Sequence, residues 1–272
     1  MIKRLIVNAD DYGHTAGVSA GIRQAHLQGI VTSTTVMMNR PDAVNGIKLA
    51  QKECPRLGMG VHLVITSGSP LLPAERASGL VNDAGQFRKL PDLMAHLDEI
   101  NLDEVEAEWR AQIQAFIKAA ECAPDHLDSH HHSSYFTPAL FELMLKLGGE
   151  LGCHLRVPFG LEETVFQNGE ESPFMAELKK NNFGYAQVFC DQFYDEGVTL
   201  ENLLSILHRI VEDRQHDTFE IMCHPALVDD ELRRISIYNE RRGAELELLQ
   251  HPEIISFIKE NNIHLIRFSD LP

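Results

Sequence analysis

Lys3-Arg4-Leu5-Ile6-Val7-Asn8-Ala9-Asp10-Asp11-Tyr12-Gly13 carries an apolar run that breaks into a polar cluster, and Thr15 then stands where a helix would be capped. Residues 3–8 read as a buried strand, 15 to about 28 as a helix, and Gly29 as its end. The same unit recurs along the chain. Strand patterns fall at 34–38, 60–65, 125–128, 155–157, 184–189, 219–223 and 264–268. Helical patterns fall at 102–122, 138–147, 200–212, 238–250 and 252–261, with one more from Pro41, placed as a first helical residue, to about Glu53. Gly148-Gly149 follows the 138–147 helix, and 67–100 is irregular, punctuated by Pro70, Pro73, Gly79, Gly85 and Pro91. About eight strands separated by helices imply a parallel sheet, either a distorted (β/α) barrel of the TIM-like kind or a doubly wound open sheet. The polar residues at predicted strand ends favour the barrel: Asp10, Asp11, Asn39, His62, Asp128, His130, Arg156, His224 and Asp270 sit at the edge where a barrel gathers its catalytic groups.

The chain has 272 residues, within reach of one barrel, so a single domain over 1–272 with an inserted segment at about 67–100 is expected. Twenty-four Lys and Arg against 40 Asp and Glu leave a formal charge of -16, which repels phosphate backbones and argues against nucleic acid as a partner. The five cysteines are scattered and form no C-x-x-C pair, which fits a reducing cytoplasm and speaks against a thiolate zinc site. The first apolar run is too short for a signal peptide, and no stretch approaches the ~20 apolar residues of a membrane helix. A soluble, cytoplasmic protein is expected. Fourteen histidines and the acid excess point towards a site of imidazoles and carboxylates.

Asp10-Asp11 puts adjacent carboxylates just past an apolar strand. Metal-assisted hydrolysis needs one carboxylate on the metal and another to take a proton from water; the competing reading is a plain turn, which Asn, Asp and Gly all favour. His62 is an imidazole inside an apolar strand, either a core residue or a ligand. His126-Leu127-Asp128-Ser129-His130-His131-His132 packs four imidazoles and a carboxylate into one strand and its continuation. If that strand persists, His130 and His132 share a face and His131 points away. Arg156 is a cation between apolar residues, able to hold a carboxylate bidentately or to lie on the surface. His224 ends another apolar strand, as an acid, a ligand or a core residue. No G-x-S-x-G elbow, phosphate-binding glycine loop or H-E-x-x-H is present.

Five ordered pieces carry a resemblance: Asn8-Ala9-Asp10-Asp11-Tyr12-Gly13, Gly29-Ile30-Val31-Thr32-Ser33-Thr34-Thr35, Gly60-Val61-His62-Leu63, the 126–132 histidine cluster, and Met222-Cys223-His224-Pro225-Ala226. Together they make the chain similar to the YdjC-type carbohydrate deacetylases, which include chito-oligosaccharide deacetylases. The resemblance implies a distorted barrel related to the NodB-type enzymes and one divalent metal, Mg²⁺ or Zn²⁺. By the same resemblance Asp11, His62 and His130 are the ligands, Asp10 the catalytic base and His224 the group that protonates the leaving amine. Leu155-Arg156-Val157-Pro158-Phe159-Gly160 looks like the Arg-x-Pro-x-Gly segment whose Arg orients the base. NodB-type enzymes draw both histidines from one His-x-x-x-His segment, here His126 and His130; the YdjC pattern takes His62 in place of the first. A role for His126 or His132 at the metal stays open.

The activity implied is removal of an N-acetyl group from an acetylated amino sugar or oligosaccharide. The 67–100 and 160–183 segments would grip the substrate, and Tyr135 or Phe159 would stack on it. The alternatives are another metal-dependent barrel hydrolase, such as a phosphoesterase, and a non-catalytic sugar- or metal-binding barrel. The expected partner is the small sugar substrate, without nucleic acid or membrane and with a homodimer left open.

Overall fold

The opening run forms a longer strand than expected: β1 spans Lys3–Tyr12, and every residue in it except Arg4 is buried. A strand buried on both faces is what a helix-covered parallel sheet requires. The computed structural model describes residues 2–158, 166–167, 170–171, 178, 180 and 183–271.

Thr15 caps α1 (Ala16–Gln28) by accepting a hydrogen bond from the Val18 amide, as its position predicts. There follow β2 (Ser33–Val36), α2 (Ala43–Glu53) and β3 (Gly58–Leu63). The α2 helix begins two residues after Pro41, which stays outside it. The irregular stretch keeps one short helix, α3 (Leu90–Ala95), between 3₁₀ turns at Ala74–Arg76 and Leu97–Glu99. Next come α4 (Leu102–Ala120), β4 (His126–Ser129), α5 (Pro138–Leu151) and β5 (His154–Leu155). Gly148-Gly149 does not end α5: the helix runs on to Leu151, and the chain turns at Gly152, whose φ is +64°. Beyond a small antiparallel pair, β6 (Phe166–Gln167) and β7 (Glu170–Glu171), lie β8 (Val188–Cys190), α6 (Leu200–Glu212) and β9 (Thr218–Cys223). The chain ends through α7 (Asp230–Ile235), α8 (Glu240–Leu249), α9 (Pro252–Glu260) and β10 (Ile263–Leu265). The α7 helix has no counterpart in the sequence reading, because six residues are too few to show a period.

Among the described residues eight strands make one sheet in the order β5-β4-β3-β2-β1-β9-β8, with β10 also paired to β1, and every ladder in it is parallel. Laid flat, β5 and β1 would stand about 19 Å apart, four strand spacings of ~4.8 Å. Yet Arg156, one residue past β5, places its guanidinium 2.7 Å from the Asp10 carboxylate of β1 and 2.7 Å from Glu220 of β9. The sheet is therefore curled, and the doubly wound alternative falls. No ladder joins β5 to β8 among the described residues, so the barrel is incomplete.

Alternation along β1 divides its side chains between two environments. Leu5 and Val7 join the large cluster with Ile22, Ile47, Trp109 and Phe219. Ile6 packs with Phe268 and Leu271 in a separate small cluster. His126 stacks on Phe268, ring centroids 3.8 Å apart, and pairs with its neighbour Asp125. That histidine therefore belongs to the packing around Phe268. Asp270 is likewise no strand-end ligand: it holds the backbone amide and guanidinium of Arg267. No helix among the described residues is long and apolar enough to cross a membrane.

Candidate metal centre and active site

Two adjacent strand residues normally point to opposite faces. At Asp10-Asp11 the register between β1 and β2 slips, with Ala9 opposite Thr34 but Tyr12 opposite Val36. This is a bulge, and Asp11 sits in it with φ +69°, a conformation aspartate tolerates better than most residues. Gly13 follows at φ +89°, where a Cβ would lie 2.8 Å from the Ala43 Cα, so this turn needs glycine. The bulge turns both carboxylates into one cleft.

Asp11 Oδ1, His62 Nε2 and His130 Nδ1 form a triangle with edges of 3.4, 3.2 and 3.2 Å. Arg242 donates to the other Asp11 oxygen at 2.6 Å, leaving Oδ1 buried without a hydrogen bond of good geometry. Burial opposes ionisation of Asp11, but Arg242 and His130 hold its carboxyl well below the usual range. His62 Nδ1 lies 2.7 Å from Asp128 Oδ1, which directs Nε2 into the triangle. Burial disfavours a charge on His62, yet Asp128, Asp10 and Asp11 push its pKa up to about 9. Surroundings that draw a proton onto a buried imidazole would equally favour a cation. The donor set is thus able to hold a divalent metal. A second cluster, Asp10, His62 and Asp128, already has its cation: Arg156 pairs with Asp10 at 2.7 Å and with Asp128 at 2.8 Å.

The strand expected to continue through the histidines stops at Ser129, and His130–Tyr135 form a 3₁₀ turn. His131 and His132 have φ of +56° and +55°, so period-two alternation does not apply to them. His131 lies 3.0 Å from Thr66, and His132 meets the Phe189 ring edge-on, leaving neither in the triangle.

Arg156 is buried, which disposes of the surface reading. Two of its nitrogens take the two oxygens of Asp10, each at 2.7 Å, and Nε takes Glu220. Asn8 adds a 2.9 Å hydrogen bond to Asp10. Burial pushes the Asp10 carboxyl up, but the Arg156 charge outweighs it and the group stays ionised. Burial raises Glu220 to about 7 despite the same guanidinium.

His224 follows β9, its amide donating to Glu245 and its Nδ1 4.0 Å from Glu245 Oε1. Burial and the nearby Arg242 push its pKa down to about 4. Tyr194 and Tyr238 stack on each other with centroids 4.4 Å apart, and both rings meet His224 edge-on.

Asp10, Asp11, His62, His130 and His224 open on one cleft of about 640 Å³. Lys89, Leu90 and Pro91, from the expected insertion, line it, as do Tyr194 and Tyr238. Tyr135 does not: its hydroxyl donates to the Arg156 carbonyl and its ring packs on Phe141, a structural role. Phe159 and most of 160–183 lie outside the described residues. Asn39 holds the carbonyls of Ser67 and Ser69 and so pins the start of the insertion.

Arg242, Glu245, Tyr194, Tyr238, Glu220 and His14 are not among the residues that the sequence singles out. Glu220 alone carried a signal, as a carboxylate within an apolar strand. The others lie in helix or loop segments of ordinary polar composition.

The chain matches the YdjC-like protein family over residues 4–260. It is 36% identical to a carbohydrate deacetylase of Brevibacillus brevis, over 98% of this chain and 99% of that protein. It is 35% identical to the chitooligosaccharide deacetylase of Salmonella typhimurium, with 100% of both covered. A crystal structure from Enterococcus faecalis V583, provisionally described as a cellobiose-phosphate cleavage protein, superposes with a TM-score of 0.86 at 33% identity, covering 98% of each chain.

Proposed function

The chain belongs to the YdjC-like protein family, and from that premise we propose that it hydrolyses the N-acetyl group of acetylated amino sugars of the chito-oligosaccharide type, using one divalent metal. The observation that carries this reading is the Asp11–His62–His130 triangle, open to the same cleft as Asp10 and His224. Two imidazole nitrogens and one carboxylate oxygen are donors that zinc accepts readily, whereas magnesium favours an all-oxygen set. When bound, the metal would acidify a water and polarise the acetyl carbonyl.

In this proposal Asp10 takes the water proton as oxygen attacks the carbonyl carbon. Arg156 and Asn8 keep it ionised and aimed; a carboxylate so stabilised is a weak base that gives its proton up again readily. His224 is neutral at pH 7, so it acts as a relay. It takes up the proton that Asp10 releases, as negative charge develops beside it, and hands it to the amide nitrogen as the C–N bond breaks, releasing acetate and the free amine. Tyr194, exposed and backed by Tyr238, offers its outer face to a sugar ring at the cleft wall. A phosphoesterase fits less well, because the buried Arg156 and Arg242 are both committed to carboxylates. We read the whole chain as one barrel domain acting in the cytoplasm, where the five unpaired cysteines would stay reduced.

Purified protein incubated with N-acetylated chito-oligosaccharide is expected to release acetate, to stop after chelation and to recover when metal is restored. Absence of acetate from the metal-replete protein overturns the proposal. Elemental analysis of the same preparation identifies the metal.

A further inference from the structure

His14 is a buried imidazole that the reaction above does not use. It is 6% exposed and lines the cleft, and neither ring nitrogen has a hydrogen-bond partner among the described residues. Its backbone amide donates to the Asp11 carbonyl at 2.9 Å, closing the tight turn that Gly13 permits. The ring is therefore held one turn from the proposed metal ligand by backbone geometry, not by bonds of its own.

Buried polar groups are nearly always paired, and an unpaired one destabilises the fold. A residue kept for packing alone would be better apolar at this position. A neutral imidazole offers one donor and one acceptor, the complement of a hydroxyl, which also donates and accepts. Sugar hydroxyls are the groups that the proposed substrate would bring into this cleft.

We propose that His14 is a substrate-binding residue, pairing with a hydroxyl of the amino sugar whose acetyl group is cleaved. This rests on the deacetylase reading for the identity of the substrate. The role is recognition, so it acts on substrate affinity more than on the chemical step.

The test compares wild type with His14→Leu and His14→Gln. Loss of one such hydrogen bond predicts a KM for the N-acetylated chito-oligosaccharide about tenfold higher in His14→Leu, with kcat within about threefold and metal content unchanged. His14→Gln, which keeps a donor and an acceptor, recovers part of the loss. The melting temperature of His14→Leu equals or exceeds that of wild type, because an unpaired polar group has been removed from the interior. An unchanged KM, or a fall in melting temperature with unaltered kinetics per folded molecule, overturns the inference. If wild type releases no acetate, the deacetylase reading fails on its own, and calorimetric binding of the same oligosaccharide still decides His14. Weaker binding by His14→Leu supports it; equal binding, or none by wild type, ends it.

Discussion

Arg156 holds together more of the site than any other side chain described. One guanidinium meets three carboxylates, Asp10, Asp128 and Glu220, and through Asp128 it reaches His62. Charges taken out of water are tolerated only when paired and hydrogen-bonded, so each member of this network constrains the next. Asp10 ends up ionised beside the Asp11–His62–His130 triangle, while Glu220, with one oxygen lacking a partner among the described residues, is the member pushed towards neutrality. The assignment of Asp10 as base makes a residue-level prediction. Asp10→Asn keeps the shape and one of the two acceptors that meet Arg156 but cannot take the water proton. Acetate release should fall about 10²-fold or more, with metal content retained. Equal activity in the variant would overturn the assignment.

Elements decide which way these side chains point. The bulge in β1 sends Asp10 and Asp11 into one cleft, and the 3₁₀ turn after β4 delivers His130 while carrying His131 and His132 elsewhere. Helix α8 supplies both Arg242, which orients Asp11, and Glu245, which lies against the His224 amide and the Tyr238 hydroxyl. Burial raises the Glu245 pKa from 4.5 to about 7. A carboxyl whose folded pKa lies above its unfolded value is most favourable to the fold below the unfolded value, and that contribution is lost as pH rises through the folded one. Between pH 4.5 and 7 the folded chain therefore holds a proton that the unfolded chain has released. Glu245→Gln should remove that part of the pH dependence, worth on the order of 3 kcal/mol. Denaturant titrations of both proteins at pH 5 and pH 8 measure it, and parallel stability profiles would refute the assigned shift.

At the scale of the whole molecule, curvature makes the site. Asp11 on β1 lies two strands from His62 on β3 and three from the end of β4 that His130 follows, a separation that a flat sheet would keep open. Acidic surroundings cluster where the strands end, and a divalent cation would offset them. A metal that binds the folded state and not the unfolded one raises stability with its concentration. Adding zinc or magnesium to chelated protein should raise the melting temperature of wild type in a concentration-dependent way. His62→Ala should lose that response, and a response equal to wild type would move the ligand role elsewhere.

Much of this was legible in the residues themselves. Strand–turn–helix units are written in local periodicity and caps, so β1 with Thr15 and α1, and the full length of Leu200–Glu212, could be read directly. Asp10-Asp11, His62 and the histidine cluster announced themselves because ionisable groups at the ends of apolar strands are costly without a purpose. What the sequence could not convey is convergence. Nothing local to Arg156 says that it reaches β1 and β9, and nothing in helix α8 marks Arg242 and Glu245 as interior. His126 and His132 look as eligible as His130 until Phe268 and Phe189 are seen against them. His14 reads as one more turn residue until its burial without a partner is known. The sequence by itself determined the kinds of element and the kinds of candidate ligand, because those follow from side-chain chemistry at short range. Tertiary structure alone decided which side chains share a cavity, because that depends on the curl of the sheet and on one bulge and one left-handed turn that no periodicity encodes.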